Sequence, residues 1–387
     1  MMAQHNSYLK IMETYVRILL YVTACRSADI SYMRTTIQDH FSSIRHHQTN
    51  HTYKESAKTF IYQEFRRFGL ATEFQNFTTN NIAGSNIIGI LKGKRFGTLE
   101  DRIAGICAHY DTVSVSSGVD DNGSGLAAML EVARRASTLE RQNTVLFISF
   151  DFEEDYLKGS EVFVSQWLPR FLLTNNNTDP LRSANQTNVH GFYVLDTIME
   201  YNTSARSQKF PPSLTEKALM TYFSQLYNDL VADNFQGDYI NSIYRKGVDE
   251  SLQNALTRAW QSLPDPAFQM EGLPIPVSDW NTIFASDFNE LLRSDHSNFW
   301  KYHYPALFLT DSGDYRGDMI NCYHHACDNT EIMLTDDNLK FLGKQADALF
   351  CSLQYLDDCE TPTNAYAPRG CPYFPMLMMT ILLLVLI

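Results

Sequence analysis

The chain has 387 residues and a formal net charge of −13 at pH 7. That acidity, with no basic stripe along the chain, excludes a nucleic-acid partner. Hydrophobic residues at 44% and aromatics at 13% supply a sizeable core, enough for one large α/β domain with flanking segments or for two domains.

In chain order, Ile18–Cys25 is a short apolar run preceded by Lys10 and Arg17, and Val22-Thr23-Ala24 resembles a signal-peptide cleavage site. Residues 1–28 are therefore expected to be a leader or N-terminal anchor, with an ordinary first helix as the alternative. Thr35–His47 and Lys54–Phe68 read as helices; the second places Ala57, Phe60, Ile61, Phe65 and Phe68 on one face. Asn86–Leu91 is a strand candidate. Ile103–Ala108 and Val145–Phe150 are apolar runs that read as buried strands. His109 follows the first run. Asp151, Glu153 and Glu154 follow the second.

Between those strands, Leu126–Arg135 has helical spacing, with Asn122 or Ser124 as its cap. Strand, loop, helix and strand make the unit of a largely parallel sheet. Ligands of such sheets bind beyond the carboxyl ends of the strands. Gly159-Ser160 opens another helix, running to about Leu172, and Thr174–Asn188 reads as an exposed polar loop. Val189–Leu195 is a further strand, ending in Asp196. Ser204–Glu290 differs in texture: amphipathic helices over Ser213–Val231 and Glu250–Leu263 suggest a lid or wall, a helical insertion at residues 204–290. Tyr304–Leu309 returns to strand character and ends in Thr310-Asp311. Asp337–Leu356 is the last helix. The expected fold is α/β: a mixed, largely parallel central sheet flanked by helices, one domain over residues 33–358.

Residues 359–372 read as a spacer, and the uncharged, apolar 373–387 as a tail that directs glycolipid attachment or forms a short membrane anchor. Sequons at Asn50, Asn76, Asn122, Asn176, Asn185 and Asn202 agree with export. So do the spacings of Cys322 with Cys327 and of Cys351 with Cys359, which allow local disulfides. The rival for the first pair is a zinc site shared with His324. Cys107 reads as a buried core residue. The expected location is secreted or at the extracellular surface.

Several acidic groups converge on histidines, and like charges repel unless a cation sits among them. Four strands end in polar residues, His109, Glu153-Glu154, Asp196 and Asp311, and loops add Asp121 and His324. Two histidines and three carboxylates from this pool suit a pair of zinc ions. Asp121 is the bridging candidate. A bridging hydroxide would then be the nucleophile, with Glu153 as the base that takes its proton. Taken singly, each motif has a plainer reading: Asp120-Asp121-Asn122 as a helix cap, Glu153-Glu154 as a solvated turn, and His46, His47 and His303 as surface or core residues. The joint occurrence favours metal.

The run His-Tyr-Asp at 109–111 is followed by Gly-x-Asp-Asp-Asn-Gly-Ser-Gly at 118–125 and Glu-Glu-x-x-Leu-x-Gly-Ser at 153–160. With Leu195-Asp196, Ser294-Asp295-His296 and Tyr323-His324-x-x-x-Asp328, it resembles the co-catalytic zinc aminopeptidases. Their wider family includes glutamate carboxypeptidase and the glutaminyl cyclases. The resemblance spans Ile87–Leu356 and implies the zinc exopeptidase fold and two Zn2+ per chain. It puts His109 and Asp196 on one ion, Glu154 and His324 on the other, and Asp121 between them. It makes Glu153 the general base and sets Asp111 behind His109, orienting its imidazole. Asp295 and His296 carry no catalytic role. Two departures stand out: Tyr156 where glycine is usual, and His325, which competes with His324 as ligand.

The implied activity is release of N-terminal residues from peptides with a free N-terminus. Three alternatives remain. One is a single-zinc glutaminyl cyclase. Another is a carboxypeptidase using Arg293 or Arg316 to hold the substrate carboxylate. The last is a metal-free receptor, which would be expected to have lost ligands that this chain keeps.

Overall fold

The computed structural model describes residues 28–175 and 188–358. The expected leader, the Asn176 and Asn185 loop, the spacer and the apolar tail lie outside them. Among the described residues no helix is long and apolar enough to cross a membrane.

Eight strands form one mixed sheet: β1 (Ala71–Thr79), β2 (Ile82–Leu91), β3 (Ile103–His109), β4 (Val145–Phe150), β5 (Val189–Leu195), β6 (Tyr239–Arg245), β7 (Gln269–Ile275) and β8 (Ala306–Thr310). Their spatial order is β1-β2-β4-β3-β5-β8-β6-β7. The central strands β4, β3, β5 and β8 run parallel. The β1–β2 hairpin joins β4 antiparallel, and β6 and β7, parallel to each other, join β8 antiparallel.

Apolar runs without polar alternation are explained by burial on both faces. Ala104, Ile106 and Ala108 of β3 enter one core with Val145 and Phe147 of β4. Ile103 and Cys107 enter the other with Leu146, Ile148 and Phe150. The first core is closed by α1 (Ile30–His40), α2 (His51–Arg67) and α3 (Gly125–Ala136), and on the same face by α8 (Glu250–Ser262) and α11 (Asp336–Asp358). The second lies under α4 (Lys158–Val162), α5 (Leu168–Asn175), α6 (Glu216–Tyr222), α7 (Ser224–Ala232), α9 (Trp280–Phe284) and α10 (His296–Lys301). The sheet is thus a middle layer between two helical layers.

The structure corrects two expectations and adds a strand. Helix Thr35–His47 is α1, which starts at the Asp29 cap and ends by Phe41. Beyond it, the buried Arg45 guanidinium donates to the carbonyls of Phe41, Ser43, Tyr110, Ser117 and Gly118, which holds the chain in a turn. The insertion at 204–290 is not purely helical: β6 and β7 extend the sheet inside it. Their sequences, YINSIYR and QMEGLPI, mix polar and apolar residues too irregularly to announce strands. Finally β1, with the polar sequence ATEFQNFTT, is an edge strand. Of the sequons, Asn122 is buried and Asn76 lies exposed on β1.

His296 illustrates how the second core constrains a polar residue. Its ring stacks on Phe308 with centroids 4.4 Å apart, and Nε2 meets the Leu291 carbonyl at 2.8 Å. Burial pushes its pKa down to about 3. A depressed folded-state value means that only the unfolded chain takes up this proton as pH falls from about 6.5 to about 3. We expect the stability advantage of wild type over His296→Gln to shrink by roughly 1.4 kcal/mol per pH unit below 6.5. Urea melts of both proteins between pH 7 and pH 5 check this; parallel pH profiles would refute it.

Candidate metal centre

The carboxyl ends of the four parallel strands deliver the side chains. His109 closes β3, and the segment Asp151–Glu154 follows β4. Asp196 follows β5, and Asp311 follows β8. The loop before α3 adds Asp120 and Asp121, and the loop around the Cys322–Cys327 disulfide adds His324.

Two groups of donors result: His109, Glu153 and Asp196; and Asp121, Glu154 and His324. Asp121 joins them. Its Oδ1 lies 3.3 Å from His109 Nε2, and its Oδ2 lies 3.2 Å from His324 Nε2. His109 Nε2 is also 3.5 Å from Asp196 Oδ1, and His324 Nε2 is 3.2 Å from Glu154 Oε2. Both Nε2 atoms are buried without a hydrogen-bond partner. His109 Nδ1 faces the Asp111 carbonyl at 3.2 Å, which favours a proton on Nδ1 and a lone pair on Nε2. Lone pairs and carboxylate oxygens directed at shared points are the donor chemistry of zinc.

The electrostatics agree. Asp121, Glu153, Glu154, Asp196 and Asp295 are five acids around two imidazoles. Burial, then the charges of Asp196, Glu154 and Asp295, push Glu153 well above the usual carboxylate range. Burial and Asp121 lift Glu154 to about 7. Burial opposes ionisation of Asp121, yet the adjacent imidazoles of His109 and His324 hold it below its ordinary value. Burial lowers His109, but Glu153 and its carboxylate contacts outweigh that and raise it. This many buried acids need compensating positive charge close by, which bound cations would supply.

Outer carboxylates fix the loops. Asp111 accepts from the N–H of Glu153 at 3.1 Å and of Glu154 at 3.2 Å. Its carboxylate reaches His109 Nδ1 only at 3.6 Å, so it aligns the glutamates more directly than the imidazole. Asp328 accepts from the N–H of Asp120 at 2.8 Å and of Asp121 at 3.1 Å. Asp311 accepts from Glu200 and Gly313. Asn122 Oδ1 caps α3 at Gly125, and its Nδ2 donates to Leu195. Gly118, at φ +60°, has no room for a Cβ, which would stand 2.0 Å from the Asp121 carbonyl. The roles of Asp328 and Asp311 were not legible in the sequence beyond their position near the motifs. Asp295 sits closer to the centre than its motif implied: it is buried among His109, Asp196 and Asp111, with its pKa raised to about 7 by burial.

Of the competing histidines, His324 points into the cluster. His325 is exposed, with Nδ1 2.7 Å from the Tyr323 carbonyl. Tyr156 takes φ +69°, a left-handed conformation that favours glycine, so the turn forms here with a tyrosine in it. Cys322 and Cys327 are bonded to each other rather than available to zinc. Cys107 is free and buried. Cys351 is disulfide-bonded; the expected partner, Cys359, lies outside the described residues.

A mixed, parallel-centred sheet flanked by helices is the fold shared with solved zinc aminopeptidases. A zinc aminopeptidase from Bacillus subtilis superposes with a TM-score of 0.57 at 12% identity, covering 84% of this chain and 95% of that one. A glutaminyl cyclase from Porphyromonas gingivalis superposes with a TM-score of 0.54 at 16% identity, covering 84% and 98%. In sequence, residues 86–247 match Peptidase family M28, which bears out the resemblance read from the motifs. Aminopeptidase YwaD of Bacillus subtilis is 42% identical over 84 residues, 22% of this chain and 18% of that protein. The chain spans less than two thirds of the length of the curated relatives it matches first.

The disulfide closes a loop of six residues around His324. Chain entropy assigns such a loop about 2 kcal/mol. We expect Cys322→Ser/Cys327→Ser to lose about that much in urea denaturation, and unchanged stability would show that the bond does not constrain the loop.

Proposed function

We propose that the chain is a zinc-dependent exopeptidase, an aminopeptidase that removes N-terminal residues from peptides. The observation that carries this reading is the Asp121 carboxylate, which turns one oxygen to each of two histidines whose facing nitrogens lack hydrogen-bond partners. His109 and Asp196 would hold one zinc, Glu154 and His324 the second, and Asp121 both. Bound zinc would supply Lewis acidity for the scissile carbonyl and lower the pKa of water.

The chain's own groups would do the rest. Glu153 is buried beside this cluster, and its raised pKa suits a group that accepts a proton and then returns it to the leaving amine. Tyr323 stacks on His324 with ring centroids 4.0 Å apart. Burial and nearby Asp121 raise its pKa, so its phenol stays protonated as a donor. A cleft next to Asp196 and Tyr323 is lined by Phe210, Leu214, Ile243, Leu273, Leu291 and Phe308. Such a surface would take an apolar first side chain.

The carboxypeptidase alternative loses one of its cationic clamps. Arg316 is buried and donates to Gln208 and to the Tyr239 carbonyl. Arg293 is paired with Asp314 at 2.7 Å. The cyclase alternative shares the fold but needs a single ion, whereas both histidines here face Asp121.

Aminoacyl-nitroanilide hydrolysis tests the proposal. The zinc-loaded chain should turn over apolar aminoacyl substrates and stop on chelation. Glu153→Gln should lower kcat about 100- to 10,000-fold with zinc content unchanged. No turnover by metal-replete protein would refute the aminopeptidase, and one zinc per chain would favour the cyclase.

A further inference from the structure

His46 and His47 lie far in sequence from the metal motifs, yet both meet Asp155, and one donor atom from each of the three lies within 4.8 Å of the others. The geometry points to a third metal site here, for a divalent transition ion such as Zn2+, outside the paired centre. His47 Nδ1 and Asp155 Oδ2 are 3.4 Å apart. Tetrahedral bonds of about 2.0–2.1 Å set neighbouring ligand atoms roughly 3.4 Å apart, so this pair already has the required spacing. Two imidazoles, one carboxylate and open positions for water fit zinc, and also copper or nickel. All three residues are partly exposed, and His47 lines an open cavity with His51 and Lys54, so an ion can enter from solvent.

Both sides of the site are held in advance. The histidines follow Arg45, whose buried guanidinium donates to five backbone carbonyls and whose N–H donates to Thr112 Oγ1 at 2.9 Å. Asp155 belongs to the segment that Asp111 grips through Glu153 and Glu154, and that Leu157 closes by donating to the Glu153 carbonyl. Little chain entropy remains to be lost on binding. Lys54 does not compete for Asp155, because it is paired with Asp151.

His46 Nδ1 accepts from the N–H groups of Gln48 and Thr49 at 3.3 and 3.2 Å, so the neutral ring carries its proton on Nε2, the nitrogen that would bind the ion. Binding there moves the His46 proton from Nε2 to Nδ1, where it exchanges the contacts with the Gln48 and Thr49 N–H groups for a bond donated to Thr49 Oγ1, 3.2 Å away. No net proton is released from this ring. The ion would fasten the turn after α1 to the segment that carries Glu153 and Glu154.

The test counts ions. Purified full-length chain is dialysed against buffered zinc, and bound metal per chain is measured for wild type, His46→Ala/His47→Ala and Asp155→Asn. The double variant should bind one ion fewer than wild type. Asp155→Asn, which preserves side-chain shape, should weaken that ion by at least the roughly tenfold typical of lost outer-shell partners. Because the readout is a difference, it holds whether the paired centre takes two ions, one or none. Thermal melts without metal establish that the variants fold. Equal stoichiometry and affinity in folded wild type and variants would overturn the site.

Discussion

One carboxylate organises this molecule. Asp121 stands between His109 and His324, with an oxygen directed at each. The two histidines are 215 positions apart, so the chain must bring the end of a central strand and a late loop to opposite sides of one side chain. An acid so placed, fully buried and beside Glu153, Glu154 and Asp196, is tolerable only with positive charge nearby. The arrangement of strands, caps and turns serves that requirement.

The means is a repeated device. Asp111 and Asp328 each spend both carboxylate oxygens on backbone N–H groups of a neighbouring loop, and Asp311 spends one on Glu200 and one on Gly313 of its own loop. Hydrogen bonds to an ionised acceptor are stronger and more directional than neutral ones. The loops that present Asp121 and the Glu153-Glu154 pair are therefore each held by an outer acid from a different part of the chain. Arg45 does the complementary job for carbonyls. The inner residues owe their positions to backbone held from behind, not to contacts with one another.

How much of this was legible depended on the kind of signal. Strands β3, β4 and β5 announced themselves because burial on both faces leaves uninterrupted apolar runs, and a polar residue after such a run marks the rim. The six inner residues could be named on that basis together with the motif order. Strands β6 and β7 were hidden, since they lie toward the sheet's margin and mix polar with apolar residues. Strand β1 was hidden for the same reason. The turn after α1 was misread as helix because Arg45 looks like any helical arginine until its carbonyl partners are known. The pairing of Asp328 with the backbone of Asp120 and Asp121 spans more than 200 positions, and no local pattern encodes it. His46 and His47 looked unremarkable for the same reason: their partner Asp155 is distant in sequence.

The reversal of direction between β8 and β6 has a further consequence. It turns the beginnings of β6 and β7, not their ends, toward the rim where the acids and histidines gather. The chain that leads into β6, including Phe210 and Leu214, therefore forms one wall of the adjoining cleft. None of the donor atoms resides on it. Insertions, deletions or exchanges in that stretch can remodel the cleft while the cluster keeps its geometry, so the cleft wall and the donor cluster are encoded on separable parts of the polypeptide.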